Sequence, residues 1–156
     1  MKKRSLHKGI AWALVVLWMG VIFYLSHQPG GESSALSSGI VGFLVQVLTG
    51  IMPFISFDME VLHFFVRKFA HFSAYFLLGV LTIYAVHIDR SPKKRTVLLS
   101  FFLTVSYAVS DELHQLFIPG RSGEVRDVLI DSLGSAVGMG LYITVRFFVN
   151  KGRASL

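Results

Sequence analysis

Residues 110–127, SDELHQLFIPGRSGEVRD, concentrate side chains that can transfer protons or bind anions. Asp111, His114 and Gln115 are spaced i, i+3, i+4, which predicts that they share one face of a helix while Glu112 points elsewhere. A carboxylate that orients an imidazole is a common arrangement for general acid–base catalysis. The uncharged run TVLLSFFLTVSYAV comes directly before this stretch. The ionisable groups therefore lie at the end of an apolar segment.

Two further apolar segments carry ionisable residues: Arg67, Lys68 and His71 in one, Asp127 and Asp131 in the other. An α-helix rises about 1.5 Å per residue, so counting residues from the basic end of each segment gives a depth. This count places His71, Asp111 and Asp131 at nearly one depth, about 22–24 Å from that end. A second tier about one turn higher contains Arg67, Lys68, His114, Gln115 and Asp127. We therefore predict one polar site built by three helices.

The cost of burying charge supports this prediction. A lone charge near the middle of a bilayer costs about 2.5–3.5 kcal/mol on the mildest scale, so such groups must pair or contact water. Two interpretations remain open. The groups form a functional site, or they form an internal salt-bridge network that ties the helices together, with Arg67 or Arg121 neutralising Asp111, Asp127 and Asp131.

For a functional site, the residue types indicate phosphate chemistry. Arginine binds phosphate bidentately and lysine adds a point charge, so the predicted substrate-binding residues are Arg67, Lys68, Gln115 and Arg121. The predicted catalytic residues are two histidines that move protons and two carboxylates that orient them: His71, His114, Asp111 and Asp127. Glu112 and Asp131 are predicted to support them.

A divalent metal is the rival chemistry, and no cofactor is otherwise indicated. Histidines and carboxylates suit a hard or borderline divalent ion, and the candidate ligands are His71, Asp111, His114 and Asp127. No recognised metal-binding spacing such as HExxH is present, so the signal is weak. The chain has no cysteine, which excludes thiolate–zinc sites, disulfides and thiol nucleophiles.

Composition indicates an all-α polytopic membrane protein. Only 15% of residues are charged, against about 25% in soluble domains. The net charge of +6 comes from basic clusters that flank apolar runs, which favours a membrane protein over a nucleic-acid-binding one. A single domain, residues 1–156, is predicted to form a bundle of four transmembrane helices, each close to the roughly 20 residues that a crossing requires: residues 9–25, 64–86, 96–117 and 125–149.

The first outer loop, about residues 26–62, is predicted to contain an amphipathic helix. Leu36, Ile40, Phe43 and Val47 recur at helical spacing with serine and glycine between them. We expect this helix to end near Gly50 and Pro53, and to lie on the outer leaflet or pack on the bundle. In the fourth helix, the spacing of Gly134 and Gly138 favours close helix packing.

Lysine and arginine predict the orientation of the chain. With the amino terminus in the cytoplasm, the inner side holds most of the 15 basic residues, as the positive-inside rule requires. Both termini are therefore predicted to be cytoplasmic, and the site is predicted to lie on the extracytoplasmic side.

Three motifs together resemble the VanZ-like family of bacterial membrane proteins: RKFAHFSAYFLLG (67–79), SDELHQLFIPGR (110–121) and RDVLIDSLGSAVG (126–138). SHQP (26–29) is similar to that family's serine-rich stretch after its first helix. The resemblance implies a place in the cell envelope, and the name-giving member is associated with teicoplanin resistance. Many relatives carry asparagine at the position of Asp131, which implies a supporting role for this residue.

The resulting hypothesis is a hydrolase or transferase at the outer leaflet that acts on a phosphate-bearing lipid or a lipid-linked cell-wall intermediate. The expected partners are thus membrane lipids and not nucleic acid. The alternative is a non-catalytic envelope protein that binds or shields a lipid-linked ligand or a lipoglycopeptide antibiotic.

Overall fold

The protein is all-α, as predicted. A computed structural model describes residues 2–51, 54, 58–87 and 93–154, and this part of the chain contains no strand. The helices are α1 (Lys2–His27), α2 (Gly30–Ile51), α3 (Met59–His87), α4 (Lys94–Gln115) and α5 (Val125–Ala154). Most of them extend past the predicted apolar spans because polar and charged residues continue the helix beyond the apolar run. The turn-forming residues 88–92 of the predicted inner loop lie outside the described part.

The predicted number of helices that are able to span a membrane is wrong. Five described helices, not four, are long and apolar enough to cross a membrane by length and composition, and the fifth is α2. In its serine-rich start the hydroxyls bond back to the helix: Ser34 Oγ donates to the Gly30 carbonyl and Ser38 Oγ to that of Ser34, each at 2.8 Å. The helix ends at Ile51, next to the predicted Gly50. Pro53 lies outside the described residues.

Two contacts between helices define the direction of the bundle. Ser26, in the last turn of α1, donates a hydrogen bond to Asp111, near the end of α4. His71, in the first half of α3, contacts Asp131, near the start of α5. Hence α1 and α4 run toward the end that holds these four residues, here called the site end, while α3 and α5 run away from it.

Glycines bring α3 and α5 into direct backbone contact. A Cβ atom on Gly134 would overlap the Phe72 carbonyl, and one on Gly138 would overlap the Phe76 carbonyl. The predicted close packing of these two glycines is therefore confirmed. Because Gly134 is fixed against the carbonyl of Phe72, Asp131 one turn earlier lies opposite His71.

Burial is distributed as expected for a membrane protein. The described outer surface carries many exposed Phe, Leu and Val side chains, whereas the interior at the site end is polar. Buried polar residues are expensive in an apolar solvent unless they are paired. The buried ionisable and amide residues of the site end are Lys68, Asp111, Glu112, Gln115, Asp127 and Asp131.

Candidate functional site

The centre of the site is a histidine between two carboxylates from different helices. His71 Nδ1 lies 3.3 Å from Asp131 Oδ1 and 3.9 Å from Glu112 Oε1. The side chain of Asp131 is 0% exposed and that of Glu112 is 5% exposed. We call His71, Glu112 and Asp131 the histidine–carboxylate cluster. Each of α3, α4 and α5 contributes one member, so the cluster depends on the packing of all three helices.

Glu112 corrects one prediction from helical spacing. It was expected to point away from the site, but it accepts a hydrogen bond at 3.1 Å from Gln115 Nε2 and one at 2.9 Å from the Glu124 N–H. The reason is that α4 contacts α1 as well as α3 and α5. Asp111 and Glu112 are about 100° apart around the helix, and both can face a neighbouring helix.

Asp111 lies beside the cluster and keeps one oxygen free. Ser26 Oγ donates to Asp111 Oδ2 at 2.8 Å, and Gln115 Nε2 lies 3.4 Å from the same oxygen. Asp111 Oδ1 is buried and has no hydrogen-bond partner among the described residues. Sequence reasoning assigned no role to Ser26, although the SHQP motif that begins with it gave a signal.

His114 belongs to a different environment from His71. Its Nε2 lies 3.2 Å from His27 Nδ1, and its ring stacks on Phe23 with centroids 4.6 Å apart. We call His27 and His114 the histidine pair. It lies between α1 and α4 and borders neither of the two cavities described below. The structure therefore does not join His114 to the histidine–carboxylate cluster.

Lys68 forms an ion pair inside the bundle. Its Nζ lies 2.5 Å from Asp127 Oδ1 and 3.2 Å from Glu124 Oε2, and Asp127 is 0% exposed. The hydrogen bond from Lys68 lowers the pKa of Glu124. Lys68 and Asp127, predicted as substrate-binding and catalytic residues, thus form an internal ion pair. The alternative interpretation predicted such a pair for Asp127, but with Arg67 or Arg121 and not Lys68 as the cation.

Arg121 lies in the turn between α4 and α5, here called the α4–α5 turn, and connects it to the end of α1. Its Nε donates at 2.9 Å to the Gln28 carbonyl and its Nη2 at 2.7 Å to the Leu25 carbonyl, while Nη1 lies 3.2 Å from Gln115 Oε1. These bonds satisfy carbonyls that the helix end leaves without partners. Burial, and then the charge of nearby Arg67, lower the pKa of Arg121. Two guanidinium groups therefore lie close together.

Arg67, at the site end, has buried nitrogens without a partner among the described residues. Its Nε and Nη2 are buried and have no hydrogen-bond acceptor in the described structure. The side chain borders two cavities. The apolar cavity, of about 300 Å³, also contacts His71, Asp111 and Arg121. The polar cavity, of about 410 Å³, lies toward Lys68 and Glu124. Of the three helices that were predicted to build one site, α3 and α4 supply residues to the lining of the apolar cavity, whereas α5 supplies none of its described lining residues.

The comparison with known protein families fits this arrangement. The model of the VanZ/LLP1 family matches residues 11–147. The chain belongs to the VanZ family. The resemblance seen in the sequence is thereby confirmed, and VanZ membership together with the apolar helices indicates a membrane protein. No curated protein and no solved structure matches the chain significantly.

In this VanZ-family protein, the three motifs that carry the resemblance also build the site. The first supplies Arg67 and His71, the second supplies Asp111 and Glu112, and the third supplies Asp131. Each motif lies where one helix enters the site end. The motifs that carry the resemblance thus come together at the site end.

The VanZ-family site also contains a group that could hold a metal ion. Among the described residues, ligand atoms of His71, Glu112 and Asp131 all lie within 4.8 Å of one another. One imidazole nitrogen and two carboxylate oxygens suit a divalent ion. Of the four metal ligands predicted from the sequence, this group includes only His71.

Proposed function

We propose that this VanZ-family protein is a membrane-embedded hydrolase or transferase that acts on the phosphate ester of an envelope lipid or a lipid-linked cell-wall intermediate. The observation that carries the proposal is the guanidinium of half-buried Arg67, which has two buried nitrogens without an acceptor and lies with His71 at the wall of one apolar cavity. An apolar cavity with a few convergent polar groups is the usual form of a ligand site.

The charge around Arg67 favours an anion. A buried donor without a partner costs about 1–3 kcal/mol, and Arg67 has two such nitrogens. The donors of Arg121 already bind protein groups, but its positive charge lies close to Arg67. A phosphate at Arg67 would receive a bidentate pair of hydrogen bonds and reduce the repulsion between the two cations.

His71 is suited to protonate a leaving group. Asp131 and Glu112 flank its Nδ1, and these carboxylates stabilise the imidazolium. In hydrolysis, a water oxygen attacks phosphorus and the phosphorus–oxygen ester bond breaks. The imidazolium gives its proton to the departing oxygen, and Asp111, through its unpartnered Oδ1, accepts a proton from the water. In transfer, an acceptor hydroxyl replaces the water.

The proposed setting is a bacterial cell membrane with the site end outside and both termini in the cytoplasm, which requires that α2, although long and apolar enough, does not cross the membrane. The start of α1 and the end of α5 lie opposite the site end, and both carry basic residues: Lys8, Arg146, Lys151 and Arg153. The chain has no cysteine, so single cysteines are clean probes. An impermeant maleimide should label Ser122→Cys in whole cells and Lys151→Cys only after lysis. The reverse pattern would invert the orientation.

The function itself is tested on the purified protein in maltoside detergent. Phosphate release is measured from a lipid phosphate and a polyprenyl pyrophosphate, and release of the alcohol and phosphomonoester products is measured from a phospholipid. Arg67→Gln should lower kcat/KM by about 100-fold, which corresponds to one lost charge-assisted bidentate contact. Arg95→Gln removes an exposed arginine at the start of α4, opposite the site end and outside both cavities, and should change kcat/KM less than twofold. No turnover of any substrate by the unmodified protein would refute the enzyme proposal.

Chelation separates proton transfer from metal chemistry. Turnover should persist in EDTA if His71 acts as the proton donor. Loss of turnover in EDTA, reversed by added divalent ion, would instead make His71, Glu112 and Asp131 the metal ligands, and would overturn the acid–base role of His71.

The second candidate is a non-catalytic protein that shields a lipid-linked ligand or a lipoglycopeptide antibiotic. The ion pairs of Lys68 favour it, because they use a predicted binding residue for structure. Susceptibility to teicoplanin is compared in cells that express the unmodified protein, Arg67→Gln or His71→Asn. A shielding protein should lose protection with Arg67→Gln and keep it with His71→Asn, whereas an enzyme should lose it with both.

A further inference from the structure

The two cavities of the site meet at the unpaired arginine. Arg67, Arg121, Ser33 and Ser37 border both of them. Beyond these shared residues, the apolar cavity is lined mainly by aliphatic side chains, including Ile22, Leu25, Ile40 and Val66. The polar cavity is lined by hydroxyls and charged groups, including Ser34, Ser38, Lys68, Glu124 and Arg126. A phosphate bound to Arg67 would therefore lie between an apolar and a polar compartment.

The serines of α2 present acceptors to the polar cavity. The hydroxyls of Ser34, Ser37 and Ser38 each donate to the carbonyl four residues earlier, at 2.8–3.0 Å. A hydroxyl that has used its hydrogen in this way keeps lone pairs on its oxygen. The serine face thus favours a ligand with hydrogen-bond donors.

The charges around the polar cavity restrict these donors further. Lys68, Arg67, Arg121 and Arg126 border the cavity together with a single carboxylate, that of Glu124. Glu124 is already paired with Lys68 and Arg126. The excess of positive charge repels an ammonium group and tolerates neutral hydroxyls.

Protein contacts fix the serine face in this position. The Gly30 N–H donates at 3.0 Å to the Pro119 carbonyl, and a Cβ atom on Gly30 would overlap the Gly120 carbonyl. Gly120 has a φ of 74°, a conformation that glycine adopts readily. The first turn of α2 is therefore docked on the α4–α5 turn, and its serines border the cavity as part of the folded protein.

We propose that the polar cavity is a headgroup subsite for a hydroxylated, non-cationic headgroup, such as glycerol or a sugar, joined through phosphate to an apolar chain in the apolar cavity. The phosphate at Arg67 is then internal to the ligand, as in a phosphodiester, and not a terminal monoester. This inference rests on the proposed function and defines its substrate class.

The subsite is tested with three ligands that share a decyl chain and differ in the headgroup: decyl phosphoglycerol, decyl phosphocholine and decyl phosphate. Their equilibrium binding to the purified protein is measured in maltoside detergent. The unmodified protein should bind the glycerol diester about tenfold more tightly than the choline diester, which corresponds to two or so additional hydrogen bonds. The double variant Ser34→Ala/Ser38→Ala should lose this preference and bind decyl phosphate unchanged. Thr49→Ala is the matched control, because Thr49 makes the same type of backbone hydrogen bond on α2 and borders neither cavity.

The outcomes separate this inference from the proposed function. Equal binding of all three ligands that still depends on Arg67 would overturn the headgroup subsite and retain phosphate recognition. Tighter binding of the choline diester would also overturn it. Binding of none of them, or binding that Arg67→Gln leaves unchanged, would remove phosphate recognition and the subsite together.

Discussion

His71 and His114 lie at the same end of the bundle but in opposite kinds of environment. His71 is flanked by two buried carboxylates and borders the apolar cavity. His114, on α4, contacts two residues of α1: its ring stacks on Phe23 and its Nε2 lies next to His27. The difference shows that depth along a helix does not define a site. The direction around the helix axis decides which neighbours a side chain meets.

The helix packing explains this difference. Two members of the histidine–carboxylate cluster, His71 and Asp131, lie where α3 and α5 touch through glycines, so backbone contacts hold them in place. The histidine pair joins α1 and α4 by ring stacking and one contact between nitrogens. We therefore expect substitutions that change packing or charge at the cluster to have large effects, and substitutions in the histidine pair to have small ones.

The largest expected effect comes from separating α3 and α5. Gly138→Ile places a branched side chain against the Phe76 carbonyl, where even a Cβ atom does not fit. We expect loss of monodisperse, folded protein in size-exclusion chromatography, because backbone cannot move aside as a flexible side chain can.

The control lies two residues along the same helix. Gly140 has nothing within 4 Å of an added Cβ atom, so Gly140→Ile should leave the elution profile unchanged. Equal behaviour of the two variants would contradict the close α3–α5 contact on which the cluster depends.

The next effect concerns the buried ion pair beside the cluster. Lys68→Met leaves the carboxylate of Asp127 buried without a cation, which should lower the free energy of unfolding by about 3–5 kcal/mol. The double variant Lys68→Met/Asp127→Leu removes both charges and should recover most of this loss. Denaturation in detergent measures both. If the single variant were as stable as the unmodified protein, the pair would not be buried as described.

A smaller effect, on rate and not on folding, separates the two histidines. His71→Asn should reduce kcat by about 100-fold or more, as expected for the loss of a general acid, with little change in lipid binding. His114→Asn should retain more than half of the activity. Product release from the lipid substrates and ligand binding are measured on the same preparations. A greater loss for His114→Asn would reverse the assignment of the catalytic histidine.

The sequence predicted how deep each site residue lies along its helix, but it did not predict for every residue which neighbouring helix the side chain faces. Fixed rise per residue brought His71 and Asp131 to one depth, and they are in contact. The i, i+3, i+4 rule put His114 with Asp111 and excluded Glu112, because it assumes that one face of α4 meets the interior. In the fold, α4 has neighbours on more than one side, and Glu112 is buried while His114 meets α1.

The sequence pattern also did not predict the full length of α2. The serines at its start resemble a loop in composition, but in the fold they are helical and their hydroxyls donate to backbone carbonyls one turn earlier. The docking of Gly30 on Gly120 joins residues 90 positions apart. No local pattern encodes such a contact, although the SHQP motif marked the region.

The smallest expected effect tests the tolerant region. His114→Ala removes one ring from the stack on Phe23 and leaves His27 at an exposed contact. Aromatic pairs contribute about 0.5–1.5 kcal/mol, and solvent at this contact can replace the lost hydrogen-bond partner, so the loss of stability should lie at the low end of that range. The melting temperature in detergent measures it, and His27→Ala/His114→Ala should add little because both variants remove the same interaction. A loss as large as that of Lys68→Met would show that the pair is as essential to folding as the ion pair beside the cluster. The histidine–carboxylate cluster and the histidine pair would then differ in their role in the reaction but not in their contribution to stability.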